Sequence, residues 1–244
     1  MNLKISAIIF FLNSLLYSNN IEIITTNDLH GNIAPQKAWF MNPSFPPDIV
    51  GGAGLIKYID QSRNISESEI LIFDAGNFFQ GHPYGMVDGG SEIIAWMNRA
   101  GYTALVPGEN DFVLGSENLN RLANEADFPF LMSNMQCDGC DLKSENIKSY
   151  IIKEIDGIKI GILGIVNSGI SDLTSSVNIQ GIEFDNSIKS LEKWVSVLKS
   201  KNVDSIIVLT SSGIPWDREE EYAELDKKIN QNLIDPYDTD FNAL

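Results

Sequence analysis

The sequence predicts an α/β fold in which short strands alternate with helices. Apolar runs rich in β-branched residues recur along the chain, beginning with Ile21–Thr26. Between them lie segments whose apolar residues recur every three or four positions, as on one face of a helix. This alternation favours a layered α/β architecture over separate all-α and all-β parts. The 244 residues suffice for one sizeable core, so we expect a single domain over residues 19–235.

The elements follow from local patterns in chain order. Strands are predicted at residues 21–26, 70–73, 103–106, 128–132, 149–155, 158–166 and 205–209. Helices are predicted after Gly52 and over residues 92–99, 114–126, 187–199 and 219–230. Gly101 occupies the position just past a helix end, and Asp156-Gly157 is a strong hairpin signal. Residues 35–47 and the glycine-rich residues 81–90 are predicted as loops, and residues 236–244 as a poorly ordered polar tail.

Residues 1–18 have the layout of a secretory signal peptide. Lys4 precedes a short apolar run, and small and polar residues follow it. The run is too short to span a membrane, so we expect no stable membrane span. A buried N-terminal helix is the alternative. We expect export to the periplasm or the extracellular medium.

The chain is strongly acidic and contains two cysteines. Its formal net charge is -16, from 33 acidic and 17 basic residues, which argues against a nucleic acid partner. Cys137 and Cys140 form a C-x-x-C pair, for which an exported chain favours a small-loop disulfide. A zinc site needs two further ligands, and a thioredoxin-like redox role needs a helix starting at Cys137.

Polar residues follow four of the predicted strands. They are Asp28 and His30, Asp74 and Asn77, Glu109 with Asn110 and Asp111, and Ser211 with Ser212. Ligands of open α/β sheets bind beyond the carboxyl ends of the strands, where such loops gather. A carboxylate and an imidazole two positions apart can reach one divalent cation, although Asp-x-His alone also suits a solvated, capped turn.

The order and spacing of these clusters resemble the calcineurin-like metallophosphoesterases. The segments that carry the likeness are TNDLHG, DAGNFFQG, NRAGYTALVPGENDFVLG and VDSIIVLTSSG, between residues 21 and 213. They are most similar to the 5′-nucleotidase branch, which includes UDP-sugar hydrolases and 2′,3′-cyclic-nucleotide phosphodiesterases. The resemblance implies a double β-sheet sandwich flanked by helices, of αββα type. It also implies that the C-terminal part of that branch, which helps to bind the nucleoside, is truncated here.

The same resemblance implies a metal site. That family holds two cations, roughly 3.5–4 Å apart, which clamp a phosphate and activate a water. In this chain the resemblance assigns the role of metal ligand to Asp28, His30, Asn77 and Glu109. It implies a divalent metal, Mn, Mg or Zn, with one ion as an alternative to two. Asn110 and Asp111 are the catalytic candidates.

Several positions depart from the family pattern. Asn77 stands where the family has a bridging Asp, and Glu109 where it has an Asn ligand. Asn110 replaces the His that assists the leaving group, and an amide cannot deliver a proton near neutral pH. Val113 and Ser211 replace an orienting Asp and a second metal-binding His. The closing Gly-His-x-His motif is missing, since His82 is the only other histidine and falls in a loop to which the resemblance assigns no ligand.

Three functions remain open from the sequence. The first is an active hydrolase of nucleotides or other small phosphate esters. The second is a degenerate member with weak or no phosphoester hydrolysis and a binding or scaffold role, which the combined departures favour. The third is one part of a split protein, in which a second polypeptide supplies the missing C-terminal part.

Overall fold

A computed structural model describes residues 21–65, 69–212 and 219–231. The predicted signal peptide and the predicted polar tail lie outside the described residues. The strands are β1 (Ile21–Thr26), β2 (Gln36–Lys37), β3 (Asp48–Ile49), β4 (Glu69–Asp74), β5 (Ala104–Leu105), β6 (Phe130–Leu131), β7 (Met135–Cys137), β8 (Ile147–Lys148), β9 (Tyr150–Ile155), β10 (Ile158–Ile165), β11 (Ile182–Phe184) and β12 (Ser205–Thr210). The α-helices are α1 (Gly52–Ile65), α2 (Pro83–Met86), α3 (Ser91–Ala100), α4 (Gly115–Glu125), α5 (Ile170–Leu173), α6 (Ser187–Ser200) and α7 (Glu219–Asn230). Two 3-10 helices cover Glu109–Phe112 and Ser176–Ile179.

The larger sheet has five parallel strands in the order β1-β4-β5-β6-β8. Its β4 strand is completely apolar from Ile70 to Phe73 and buried on both faces, as strands inside an α/β protein are. Parallel pairing places the ends of β1, β4 and β5 at one edge, where Thr26 faces Asp74 and Asp74 faces Leu105. This edge carries the loops in which the polar clusters lie.

The smaller sheet has three strands in the order β12-β10-β9. The predicted β9–β10 hairpin is confirmed, with Asp156 at φ 51° and Gly157 at φ 83° in the turn. Both left-handed residues suit the tight turn that joins two right-twisted strands. Strand β10 is the centre of this sheet, parallel to β12 and antiparallel to β9.

The two sheets share one core through β6 and β10. Gly164 of β10 lies so close to Leu131 of β6 that a Cβ atom would collide with its backbone. The Ser133 N–H donates to the Gly164 carbonyl at 2.7 Å, and the Asn134 side chain donates to the Val166 carbonyl at 2.8 Å. These contacts confirm the predicted two-sheet sandwich with flanking helices.

The helices end largely where the sequence predicts. Helix α3 ends at Gly101, which has φ 80° and donates its N–H to the Met97 and Asn98 carbonyls. Residues 35–47 are not wholly a loop, because β2 and β3 pair across them as a hairpin. The glycine-rich residues 81–90 include helix α2, which Pro83 begins.

Cys137 and Cys140 are joined by a disulfide in the structure, with their Cα atoms 5.4 Å apart. The bond closes the turn that follows β7, and Asp138 in that turn donates its N–H to the Gly181 carbonyl. None of the helices in the described ranges is long and apolar enough to cross a membrane.

Candidate functional site

The loops that follow β1, β4 and β5 meet at the carboxyl edge of the large sheet. The backbone joins the first two loops directly, since the Asp28 N–H donates to the Gly76 carbonyl at 2.9 Å and the His30 N–H donates to the Asn77 carbonyl at 2.8 Å. The 3-10 helix after β5 brings Glu109 to the same place. Five of the six residues predicted for the site, all except Asp111, form a connected cluster here.

Three residues of these loops have left-handed backbone conformations. The φ angles are 51° at Asp28, 48° at His30 and 59° at Asn77. Such a conformation is disfavoured for residues other than glycine and costs on the order of 1–3 kcal/mol each, least for Asn and Asp. Its concentration in one cluster of polar side chains makes this edge the candidate functional site.

The Asn77 carboxamide is the centre of the cluster. Its Nδ2 donates to Asp28 Oδ1 at 2.9 Å and to Glu109 Oε1 at 3.2 Å. Its Oδ1 accepts the backbone N–H of Asn110 at 3.0 Å. This network fixes the orientation of the amide, because the reverse would turn the NH₂ group toward the Asn110 N–H. An amide nitrogen therefore lies between the two carboxylates.

The His30 ring has one nitrogen fixed and one facing Asp28. Nδ1 lies 2.7 Å from the Gln80 carbonyl, which can only accept, so Nδ1 carries the proton. Nε2 lies 3.8 Å from Asp28 Oδ1. A histidine held in this way presents the other nitrogen for a cation or an acid.

Asp111 lies below this cluster and holds the loops together. It is completely buried, and its carboxylate accepts the backbone N–H groups of Asn77 at 2.8 Å, Phe78 at 2.9 Å and Gly108 at 2.8 Å. Burial raises the pKa of Asp111 to about 8, against the lowering effect of these donors. With only backbone partners and no exposed surface, Asp111 positions the loops and does not face a ligand.

A second buried network lies at the ends of β1 and β4. Thr26 Oγ1 donates to Asp74 Oδ2 at 2.6 Å, and the Gly76 N–H donates to Asp74 Oδ1 at 2.9 Å. The Tyr102 hydroxyl lies 2.9 Å from Thr26 Oγ1. Burial raises the pKa of Asp74 to about 7 and also raises the pKa of Tyr102. Sequence patterns did not indicate Thr26 or Tyr102, although the register of β1 against β4 explains their meeting.

Three other positions discussed for the site have different surroundings. His82 donates its backbone N–H to the His30 carbonyl at 2.6 Å, but its ring is stacked on Tyr84. Ser211 Oγ accepts the Asn167 N–H at 3.1 Å, at the end of the smaller sheet. Val113 is partly exposed. Within the described part of the chain, no three His, Cys, Asp or Glu side chains lie close enough together to hold one metal ion.

The chain is similar to known 5′-nucleotidases. It is 30% identical to 5′-nucleotidase of Bos taurus over 202 residues, which are 81% of this chain and 35% of that protein. It is 25% identical over 213 residues to NAD 5′-nucleotidase of Haemophilus influenzae, covering 86% of this chain and 34% of that one. The chain belongs to the 5′-nucleotidase-like metallophosphoesterases.

Solved structures support the same family fold. The structure of a 5′-nucleotidase precursor from Thermus thermophilus matches with a TM-score of 0.70 at 24% identity, over 77% of this chain and 36% of that one. A calcineurin-like phosphoesterase from Bacillus subtilis matches with a TM-score of 0.64 at 23% identity, over 79% and 62%. The chain spans about a third of the length of the curated relatives it matches. No protein-family model matches it.

Proposed function

We propose that this chain is an exported 5′-nucleotidase-like protein that binds nucleotides or other small phosphate esters and hydrolyses them weakly or not at all. The observation that carries the proposal is the Asn77 carboxamide, whose NH₂ group donates to both Asp28 and Glu109. At this place the family resemblance expects a carboxylate shared by two cations.

The residues present do not fit a pair of metal ions. A bridging ligand must present lone pairs to both cations, whereas Asn77 presents hydrogens to the two carboxylates and its oxygen to the Asn110 N–H. The amide also brings no negative charge to offset a second dication.

A single divalent ion, Mn²⁺, Mg²⁺ or Zn²⁺, fits the donor set better. Asp28 and His30 Nε2 are the two groups that would hold it. When bound, such an ion would supply Lewis-acid polarisation of a phosphate oxygen. The chain's own contribution is to bind and orient the ester in the cluster of polar side chains at the sheet edge.

Proton delivery is the second deficiency. Asn110 stands where the resemblance expects a histidine, and its side chain lies 3.5 Å from Glu109 Oε1. An amide can donate a hydrogen bond to a leaving oxygen, but it cannot transfer the proton that the leaving group needs. Loss of such a group commonly lowers turnover by two to four orders of magnitude.

Export is supported by two features. The layout of residues 1–18 suits a signal peptide, and the Cys137–Cys140 disulfide suits an oxidising compartment. We place the domain at residues 19–235, between the signal-peptide-like segment and the polar residues 236–244.

An active hydrolase is the second candidate, favoured by the orientation of His30. Its Nδ1–H is held by the Gln80 carbonyl, which leaves Nε2 free for a cation. A second polypeptide that supplies the parts found in the longer relatives would serve this alternative, by adding groups that close the site.

The test measures binding and turnover on the same purified chain. We expect the protein, loaded with Mn²⁺, to bind AMP in calorimetry and to release phosphate from AMP at least about 10³-fold more slowly than a 5′-nucleotidase under the same conditions. Asp28→Ala should abolish AMP binding, while Asn124→Ala, which removes an exposed amide on α4, should not. Turnover at the nucleotidase rate that disappears in Asp28→Ala would overturn the proposal and establish the alternative.

A further inference from the structure

Among the turns of the described residues, the tip of the β2–β3 hairpin carries the most exposed group of large apolar side chains. We define the hairpin tip as residues 38–47. Phe40 is 82% exposed, Phe45 83%, Met41 66% and Trp39 61%. Apolar side chains are normally exposed singly, so four within seven residues indicate a surface that is covered by something.

The hairpin tip has a defined conformation. At its base Lys37 and Asp48 form an ion pair at 2.5 Å, and the Ala38 N–H donates to the Pro47 carbonyl at 2.9 Å. At its end Asn42 Oδ1 accepts the N–H groups of Ser44 at 3.1 Å and Phe45 at 3.0 Å. Because the turn is already ordered, little conformational entropy is lost when its side chains are buried.

The hairpin tip is also uncharged. Residues 38–47 contain no Asp, Glu, Lys or Arg, although the whole chain has a formal net charge of -16. The basic and acidic residues nearest in sequence, Lys37 and Asp48, neutralise each other. A neutral apolar partner is therefore favoured over a basic one, and an anionic surface would be repelled by the rest of the chain.

The area is small for a stable protein interface. Three aromatic side chains of about 150–250 Å² each, at these exposures, and one Met present on the order of 500–600 Å². A stable protein–protein interface buries about 800 Å² on each partner. A narrow tip of Trp, Phe and Met side chains suits the boundary between lipid headgroups and acyl chains, where binding strengthens with the apolar area that is buried.

We propose that the hairpin tip inserts into the surface of a zwitterionic lipid bilayer and holds the protein there as a peripheral protein. Trp39, Phe40, Met41 and Phe45 enter the interface, and the Lys37–Asp48 pair stays at the level of the headgroups. This inference does not rest on the phosphoester chemistry of the site.

The experiment is co-sedimentation with phosphatidylcholine vesicles, using the chain from residue 19 onward. We expect the wild-type protein to sediment with the vesicles and Phe40→Ser/Phe45→Ser to partition at least tenfold less. Ile65→Ser is the matched control, because Ile65 is 86% exposed at the end of α1 and should sediment like wild type. Replacing a third of the lipid with phosphatidylserine should weaken binding several-fold at low salt, because of the net charge.

A second measurement excludes loss of folding and identifies the inserted residue. Tryptophan emission should shift to the blue on addition of vesicles, and Trp39→Phe should lose most of that shift while still sedimenting. Circular dichroism must show the serine variant folded. Equal sedimentation of Phe40→Ser/Phe45→Ser and wild type would overturn the proposal. Failure of the wild-type protein to sediment with vesicles would also overturn it. If that protein were a dimer and the serine variant a monomer, the hairpin tip would be an interface between two copies of the chain instead.

Discussion

The substitution Asn77→Asp exchanges one NH₂ group for an oxygen and leaves the size of the side chain unchanged. It removes the two hydrogen bonds that Asn77 donates to Asp28 and Glu109. A hydrogen bond to a charged group contributes about 1.5–3 kcal/mol. The Asp28 side chain is 53% exposed, so we take the lower end and expect a loss of about 3 kcal/mol for the pair in EDTA at pH 7.

A loss of this size is visible in the melting temperature. For a chain of this length 1 kcal/mol corresponds to about 2–4 °C, so Asn77→Asp should lower Tm by about 6–12 °C in EDTA. A divalent cation offsets this loss, because three adjacent carboxylates then share its charge. At a hundred times its Kd a cation returns about 2.7 kcal/mol, which restores most of the lost Tm.

The assay is thermal unfolding followed by circular dichroism, in EDTA and in Mn²⁺. Asn124→Asp is the matched control, because Asn124 is an exposed residue near the end of α4 and lies outside the cluster. We expect its Tm to change little and to be independent of Mn²⁺. The reasoning is refuted if Asn77→Asp melts like wild type in EDTA, or if wild type gains as much from Mn²⁺ as the variant.

Three further predictions concern the buried groups beneath the site. The pKa of Asp74 is about 7 in the folded chain against an ordinary 3.8, so its contribution to stability is complete below about pH 4 and is lost as the pH rises through 7. In Asp74→Asn the amide oxygen can accept the Gly76 N–H, and the NH₂ group can donate to Thr26 Oγ1, which reverses the bond to Thr26. Urea unfolding of this variant at pH 5 and 7.5 should show a smaller decrease in stability than wild type; equal decreases would contradict this. Thr26→Val removes the hydroxyl that joins Asp74 to Tyr102 and should lower the unfolding free energy by about 1–3 kcal/mol in urea, whereas an unchanged midpoint would exclude the network. Gly108→Ala places a Cβ atom against Asn77 Oδ1 and should cost about 1–3 kcal/mol, so an unaltered Tm would show that the carboxamide is free to move.

The longest strands of the two main sheets were predictable because each has six or more residues and is rich in β-branched apolar side chains; they are β1, β4, β9, β10 and β12. Local sequence alone predicts a strand for the β-branched run Ile21–Thr26 and a hairpin turn for Asp156-Gly157. The β2–β3 hairpin escaped prediction because its strands have two residues each and no alternation of apolar and polar side chains. Its pairing depends on the Lys37–Asp48 ion pair and on hydrogen bonds within the turn, which no hydrophobic period encodes.

The location of the site could be predicted from the sequence, but the directions of its hydrogen bonds could not. Polar residues at the ends of parallel strands must lie at one edge, and this brought Asp28, Asn77 and Glu109 together. The direction of the Asn77 amide depends on the Asn110 N–H, which only the turn of the 3-10 helix places there. The contact of Thr26 with Asp74 depends on strand register, and a slip of one residue would turn the threonine to the other face.

Side chains hold part of the site together, through the buried Asp111 carboxylate and the Asn77 oxygen, but the loops after β1 and β4 are also joined by bonds between backbone groups alone. The carbonyls of Gly76, Asn77 and Phe78 accept the N–H groups of the turn after β1, at 2.9, 2.8 and 2.8 Å, and none of these bonds involves a side chain. A change of Asp to Asn at position 77 thus alters the charge of the cluster without removing what holds its loops. A carboxylate at position 77 and an imidazole at position 110 can therefore be introduced with these backbone bonds already in place.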